Sequence, residues 1–412
     1  MSDFALDRAN TSNSVWSKIV SNLVGWIGKR SVGRIKHGCL KIILPSGKTI
    51  NLGDPANAGP HAQLKLNNFN VIRESARRGT VGFAAAYMNE DIEVDDLVKV
   101  FTFFLLNREQ LVGKKPNLFR RAAHDMAYHL SRRNTKEGSK KNISEHYDLG
   151  NDFYSLWLDP SMVYSSALFN DENQTLTDAQ WAKNHLVADM AGVKKGASVL
   201  EIGCGWGAFA ETVAKDYAAT LKGITLSTEQ LKFAKHRMEE HGLSGKTELV
   251  IEDYRDTEGQ FDHVCSIEMI EAVGEDHWPV YFKTVHDRLK PGGTAAIQAI
   301  TINEIDFEHY RKNVDFIQRY IFPGGMLLTE TAMKEQGDAA GLTLERQELF
   351  GQSYAKTLRI WRENFLEAWP EIEKLGFDDV FKRKWVYYLS YCEAGFAEEM
   401  IDVGVYQYRR ND

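Results

Sequence analysis

The chain has only four cysteines, at positions 39, 204, 265 and 392, far apart and with no C-x-x-C pair among them. That spacing excludes a disulfide framework and a cysteine-built zinc centre, and it suits a reducing compartment. Long apolar runs are lacking too. The most apolar stretch, around Val98 to Leu106, is broken by Lys99 and is too short to span a bilayer. No basic stretch leading into an apolar one opens the chain, so a cytoplasmic protein is expected. Acidic residues are scarce in the front third. Residues 1–142 hold 23 Lys and Arg against 12 Asp and Glu, a charge of +11, while the remainder carries −18. A basic front suits an anionic partner, either a phospholipid surface or nucleic acid; the plainer alternative is a solvated basic face.

A length of 412 residues exceeds the usual single domain, so two are expected. Residues 15–27 place Trp16, Ile19, Val20, Leu23, Val24, Trp26 and Ile27 at helical spacing, with Lys18, Lys29 and Arg30 beside them. That pattern fits a helix lying on a membrane interface or one packed on its own domain. Residues 40–44 and 48–52, joined by Pro-Ser-Gly, read as a hairpin, and helices follow from about Leu97. The polar, basic, aperiodic stretch 131–142 is the natural boundary. It separates a basic N-terminal domain, 1–130, from a domain over 143–412. In the latter, strand candidates at 198–202, 220–225, 247–251, 263–267 and 294–301 alternate with helical stretches such as 228–241. Alternation of this kind means a doubly wound, mostly parallel α/β sheet, with ligands beyond the carboxyl ends of its strands.

The first of those strands runs into Glu201-Ile-Gly-Cys-Gly-Trp-Gly207. Glycine lets the backbone turn tightly and lets a ligand approach its amides. The spacing is E-x-G-x-G-x-G, not the G-x-G-x-x-G of dinucleotide enzymes, and no Lys-Ser/Thr follows to hold a triphosphate. It fits a nucleoside with a charged tail and no phosphate, of which S-adenosylmethionine (SAM) is the commonest. Polar groups recur at the other strand ends. Thr225-Leu-Ser-Thr-Glu-Gln230 follows the second, Glu252-Asp-Tyr-Arg-Asp256 the third, and Ser266-Ile-Glu-Met-Ile-Glu271 the fourth.

Seven segments taken together carry a resemblance. They are His146-Tyr-Asp-Leu-Gly-Asn-Asp-Phe153, Met162-Val-Tyr-Ser-Ser-Ala-Leu-Phe169, the glycine turn, Thr225-Leu-Ser-x-x-Gln230, Asp253-Tyr-Arg-Asp256, Arg319-Tyr-Ile-Phe-Pro-Gly-Gly325 and Tyr387-Tyr-Leu-Ser-Tyr-Cys392-Glu-Ala-Gly-Phe396. Over about residues 142–410 the chain resembles the cyclopropane-fatty-acyl-phospholipid synthases. The front segment looks like the small α+β lipid-binding domain of the bacterial members. The resemblance implies a Rossmann-like class I SAM-dependent methyltransferase domain that methylates a double bond of an unsaturated phospholipid. It also implies a homodimer and peripheral attachment to the anionic inner face of the membrane.

On that resemblance Tyr164 and Ser165 meet the methionyl end of SAM above Gly203 and Gly205. Thr225, Leu226, Ser227 and Gln230 follow the ribose, and Asp253 and Tyr254 the adenine. Core packing for Tyr164 and helix capping for Asp253 are the alternatives. The family holds a bicarbonate as base, with a Cys, a Glu, a His and a Tyr. Here Glu271 and Tyr354 are retained, Ser166 stands at the Cys position and Gln298 at the His position. That departure leaves a cyclopropane, or a methylene- or methyl-branched chain, as the product. Cys392 matches a candidate nucleophile of the family, and packing is its plainer role. His146 either orients a loop or caps a helix. A SAM methyltransferase for an amine, phenol or sterol would share the glycine turn but not the remaining motifs. A non-catalytic lipid-binding protein would not need Glu271 and every SAM motif. The acidic rear domain argues against nucleic acid.

Overall fold

The computed structural model describes residues 33–111 and 149–412, which fall into two compact units. The amphipathic segment 15–27, the boundary 131–142 and His146 lie outside the described residues.

The first unit comprises the described residues up to 111 together with Asp378–Ala394. Strands β1 (Cys39–Ile43) and β2 (Thr49–Leu52) form the expected hairpin. Its turn is tight because Gly47 takes φ +82°, which costs glycine nothing. β3 (His61–Leu66) pairs parallel to β1, and β4 (Ile92–Val94) antiparallel to β3, giving the order β2-β1-β3-β4. The most apolar run of the sequence is the helix Leu97–Leu106, capped by the Asp96 side chain, and Val100 and Phe103 on it are fully buried. Among the described residues no helix is long and apolar enough to cross a membrane. The helix Asp379–Ala397 contributes aromatic rings to this unit: Tyr387 meets Phe101 edge-on at 4.9 Å, and Tyr391 meets it at 5.5 Å. Arg383 donates to the carbonyls of Tyr87 and Ile92 and stacks over the Tyr87 ring.

The second unit is built on a seven-stranded sheet. β5 (Ser198–Ile202), β6 (Thr220–Thr225) and β7 (Thr247–Ile251) keep the bounds expected of them. β8 (Phe261–Ile267) and β9 (Leu289–Ile302) begin earlier than the apolar pattern suggests. These five are parallel, in the order β9-β8-β5-β6-β7. Two further strands extend the β9 edge antiparallel, β11 (Ile401–Arg410) beside β9 and β10 (Leu342–Leu349) beyond it. The core between sheet and helices includes Leu200, Ile202, Val264, Ile297 and Tyr281, each nearly or fully buried. At roughly 1.5–3 kcal/mol per buried large apolar side chain, this layer holds the strand ends in place.

Chain order sets the site. From β5 the chain steps outward through β6 and β7, then returns to β8 on the other side of β5. The carboxyl ends of β5 and β8 therefore flank the switch point of the sheet, where ligands of doubly wound folds bind. The glycine turn leaves one of them and Glu268 leaves the other.

Candidate active site

After β5, Gly203, Gly205 and Gly207 take φ of +88°, +49° and +85°. The amides of Gly203 and Cys204 both donate to the Ile224 carbonyl of β6, at 3.0 and 2.9 Å, which pins the turn across the neighbouring strand. A Cβ on Gly203 would stand 3.1 Å from Met269 Cγ. The turn thus lies against the segment that follows β8. At Gly207 a Cβ would come within 3.0 Å of the Ala234 Cβ, so its absence lets the helix Ala208–Lys215 approach Thr228–Glu240.

The interior beneath the turn is charged. Glu201 is 2% exposed, its Oε2 has no hydrogen-bond partner, and burial pushes its carboxyl up to about 8 against the pull of Lys183. Lys183 is equally buried and is brought down to about 8 by desolvation, opposed by Glu268, Glu201 and Asp159. Its ammonium donates to Ser165 Oγ at 2.8 Å, and Gln180 Nε2 donates to the Ser165 carbonyl at 2.8 Å. An orphaned carboxyl oxygen beside a Cβ-free turn fits a ligand with a cationic tail, as SAM has.

Glu268 is the first residue beyond β8. Its φ of +48° is left-handed backbone, which costs a non-glycine residue ~1–2 kcal/mol. Its Oε1 accepts from the Ser166 amide and from Gln298 Nε2, each at 2.8 Å. Its Oε2 accepts from the Tyr354 hydroxyl at 2.7 Å. Burial raises its carboxyl above the usual range, while Tyr354, Ser166, Lys183 and Gln298 all favour the charged form. Three parts of the chain meet here: the loop before the helix Leu176–Ala191, strand β9, and the helix Gly351–Glu367.

Four sequence-predicted catalytic residues therefore lie close together, but not as expected. Ser166, Gln298 and Tyr354 converge on Glu268, which the sequence reading passed over. Ser166 meets Glu268 through its amide, while its hydroxyl donates to the Ala167 carbonyl at 2.9 Å. Glu271 Oε1 instead accepts from the Ile300 amide at 2.6 Å, and its Oε2 is buried without a hydrogen-bond partner. Burial, with Glu268 nearby, pushes Glu271 up to about 8, so it is a neutral acid at pH 7. Three of the groups that the resemblance assigns to a bicarbonate cage hold the Glu268 carboxylate. Cys392 is half-buried in the first unit. One signal did mark Glu268: it is a carboxylate immediately following a parallel strand next to the glycine strand.

Of the cofactor-side residues, Tyr164 is half-buried, and its ring meets Tyr154 at 5.3 Å, Trp157 at 5.6 Å and Trp361 at 5.3 Å. Thr225, Ser227 and Gln230 bond one another: Thr225 Oγ1 donates to Gln230 Oε1, and Ser227 Oγ caps the following helix by accepting from the Gln230 amide. Leu226, between them, is half-buried. Asp253 caps a short 3-10 turn and pairs with Arg255 at 2.6 Å. Beside it, the Tyr254 ring packs on Tyr281 at 5.7 Å.

Comparisons with known proteins identify the family. The family described as mycolic acid cyclopropane synthetase matches residues 134–406. Tuberculostearic acid methyltransferase UfaA1 of Mycobacterium tuberculosis is 37% identical, over 89% of this chain and 87% of its own. Cyclopropane-fatty-acyl-phospholipid synthase of Escherichia coli is 34% identical, over 85% of this chain and 88% of its own. The mycolic acid cyclopropane synthase CmaA1, solved with SAH and CTAB, superposes with a TM-score of 0.62 at 28% identity, over 66% of this chain and 98% of that one. The chain belongs to the mycolic acid cyclopropane synthetase family and is a SAM-dependent methyltransferase of the cyclopropane synthase type.

Proposed function

We propose that this enzyme transfers the SAM methyl to the double bond of an unsaturated acyl chain in a membrane phospholipid, with the resulting cation closing to a cyclopropane. One observation carries this reading: a caged carboxylate stands beside the glycine turn within an enclosure of aromatic rings. Tyr354 packs on Phe396 at 4.4 Å and faces Trp361 at 6.2 Å, and Trp361 in turn meets Tyr164. An alkene is a weak nucleophile, so it must be held in line with the methyl in a dry site. The cation formed is then stabilised by aromatic faces. The base cannot be far from that cation, and a carboxylate held by three donors is already placed.

The basic charge of residues 1–142 supports peripheral attachment to an anionic phospholipid surface, and the reading includes a homodimer, on the family resemblance. A second outcome is a methylene- or methyl-branched chain, which follows where a hydride shifts first or the proton is lost from a carbon other than the one that closes the ring. The test is incubation with methyl-labelled SAM and vesicles of unsaturated phospholipid. The lipids are then examined by mass spectrometry after ozonolysis, which cleaves a branched alkene and spares a ring. Labelled acyl chains one methylene heavier and resistant to ozone are expected. Absence of label from lipid with folded, SAH-binding protein refutes the reading.

A further inference from the structure

We infer that the Glu268 carboxylate is itself the base of the reaction, standing where the family resemblance calls for a bound bicarbonate. The inference rests on the methyl transfer proposed above and concerns only where the proton goes. All three donors available to an anion here are taken up by the two oxygens of one side chain: Ser166 N and Gln298 Nε2 on Oε1, Tyr354 Oη on Oε2. A second anion would find one N–H of Gln298 left among them and would face a like charge. The site is also built for this side chain. Gln298 and Ser166 are fully buried, and the Glu268 amide is tied to the Gln298 carbonyl at 2.9 Å. A left-handed φ at a glutamate, at the end of a sheet strand, is strain kept at a position where glycine would be free of it.

The neighbouring acid is unsuited to the task. Glu271 has one oxygen on the Ile300 amide and stays neutral at pH 7, where it can hold a proton but not take one. Burial raises the Glu268 carboxyl too, but three donors and Lys183 favour its charged form, where Glu271 has the Ile300 amide and a like charge nearby.

The step balances as follows. The π pair of the double bond forms the new carbon–carbon bond to the methyl, and the sulfur–methyl bond breaks with its pair left on sulfur. The carboxylate then removes one proton. Taken from the added methyl, that proton leaves a C–H pair that closes the three-membered ring onto the adjacent cationic carbon; where a hydride first shifts from the methylated carbon to the cationic one, the same pair forms an exocyclic double bond instead. The carboxylic acid returns the proton to solvent after the product leaves.

The experiment measures methyl transfer to unsaturated phospholipid vesicles in carbon-dioxide-free buffer, with and without added bicarbonate, together with SAH affinity and thermal midpoint. Wild type is expected to run at the same rate in both buffers. Glu268→Gln should lose on the order of 10²- to 10⁴-fold in kcat, the usual worth of a general base, with SAH affinity retained. Glu268→Gly relieves the backbone and empties the cage, so it should fold, bind SAH and regain activity when bicarbonate or formate is supplied. A wild-type rate that collapses without bicarbonate, or an E268Q enzyme as active as wild type, overturns the assignment while leaving the methyl-transfer reading standing. A wild type that labels no lipid in either buffer overturns both.

Discussion

The hydroxyl of Tyr354, on the helix Gly351–Glu367, donates to Glu268 Oε2 at 2.7 Å across 86 residues of sequence. A phenol–carboxylate bond of this length favours the charged carboxylate and orients it. Tyr354→Phe removes the donor and leaves the ring against Phe396 and Trp361. Glu268 then loses a bond to its ionised form, so its titration moves upward. The expected outcome is about a 10- to 100-fold lower kcat, by the worth of one charge-assisted bond. The acid limb of the pH–rate profile should shift to higher pH, with SAH affinity unchanged. Rate profiles of the two proteins from pH 5 to 9 check this.

Glu201 and Glu271 are both pushed up to about 8 by burial. Unfolded, each would titrate near 4.3. Between those values the unfolded chain has released two protons that the folded chain retains, so unfolding gains favour as pH rises. The contribution is fully present below about pH 4 and is lost through pH 8. Lys183 is charged in both states over most of that window and adds slope only near and above 8. The apoprotein should therefore melt at progressively lower temperature from pH 5 to 8, and Glu271→Gln should flatten that decline. Thermal melts of both proteins across the range measure it.

Gly203→Ala places a Cβ at φ +88° and 3.1 Å from Met269. The backbone cost is ~1–2 kcal/mol, with displacement of Met269 added. A lowered thermal midpoint together with weakened SAH binding is expected, because the displaced atoms border the turn. Gly207→Ala meets Ala234 instead and should cost stability by separating two helices. Calorimetry and SAH titration of each variant distinguish the two effects.

Ser227 caps the helix Thr228–Glu240. Ser227→Ala should cost about 1 kcal/mol of stability. A simultaneous fall in SAH affinity would assign the hydroxyl to the ribose as well; unchanged affinity would leave it a cap alone.

Vesicle sedimentation tests the basic front of the chain. Binding to anionic vesicles should exceed binding to zwitterionic ones and should weaken as salt rises, since the Debye length falls from about 10 Å at 0.1 M to about 3 Å at 1 M. Salt-independent binding would remove the electrostatic contribution.

Much of this architecture was legible in local pattern. Short apolar strands, glycine at three turn positions and polar residues at strand ends are dictated by backbone sterics and burial, and both act over a few residues. Strands β10 and β11 escaped notice. Leu342–Leu349 is an edge strand with a largely solvated surface, and its Thr-Leu-Glu-Arg-Gln-Glu run has too little apolar content to mark it. The site was half legible. Ser166, Gln298 and Tyr354 could be singled out, but two glutamates three residues apart, Glu268 and Glu271, look alike in a linear string.

The amino-acid sequence alone determined a methyltransferase sheet, a glycine turn without phosphate chemistry and a candidate set of polar side chains, because those follow from local conformation and residue type. Which carboxylate those side chains hold was decided only by tertiary structure. Three residues of backbone after β8 separate Glu268, which meets Ser166, Gln298 and Tyr354, from Glu271, which meets the Ile300 amide. Hydrogen-bond donors must come within about 3 Å to choose between two acids, and only the folded sheet brings residues 166, 298 and 354 that close to 268.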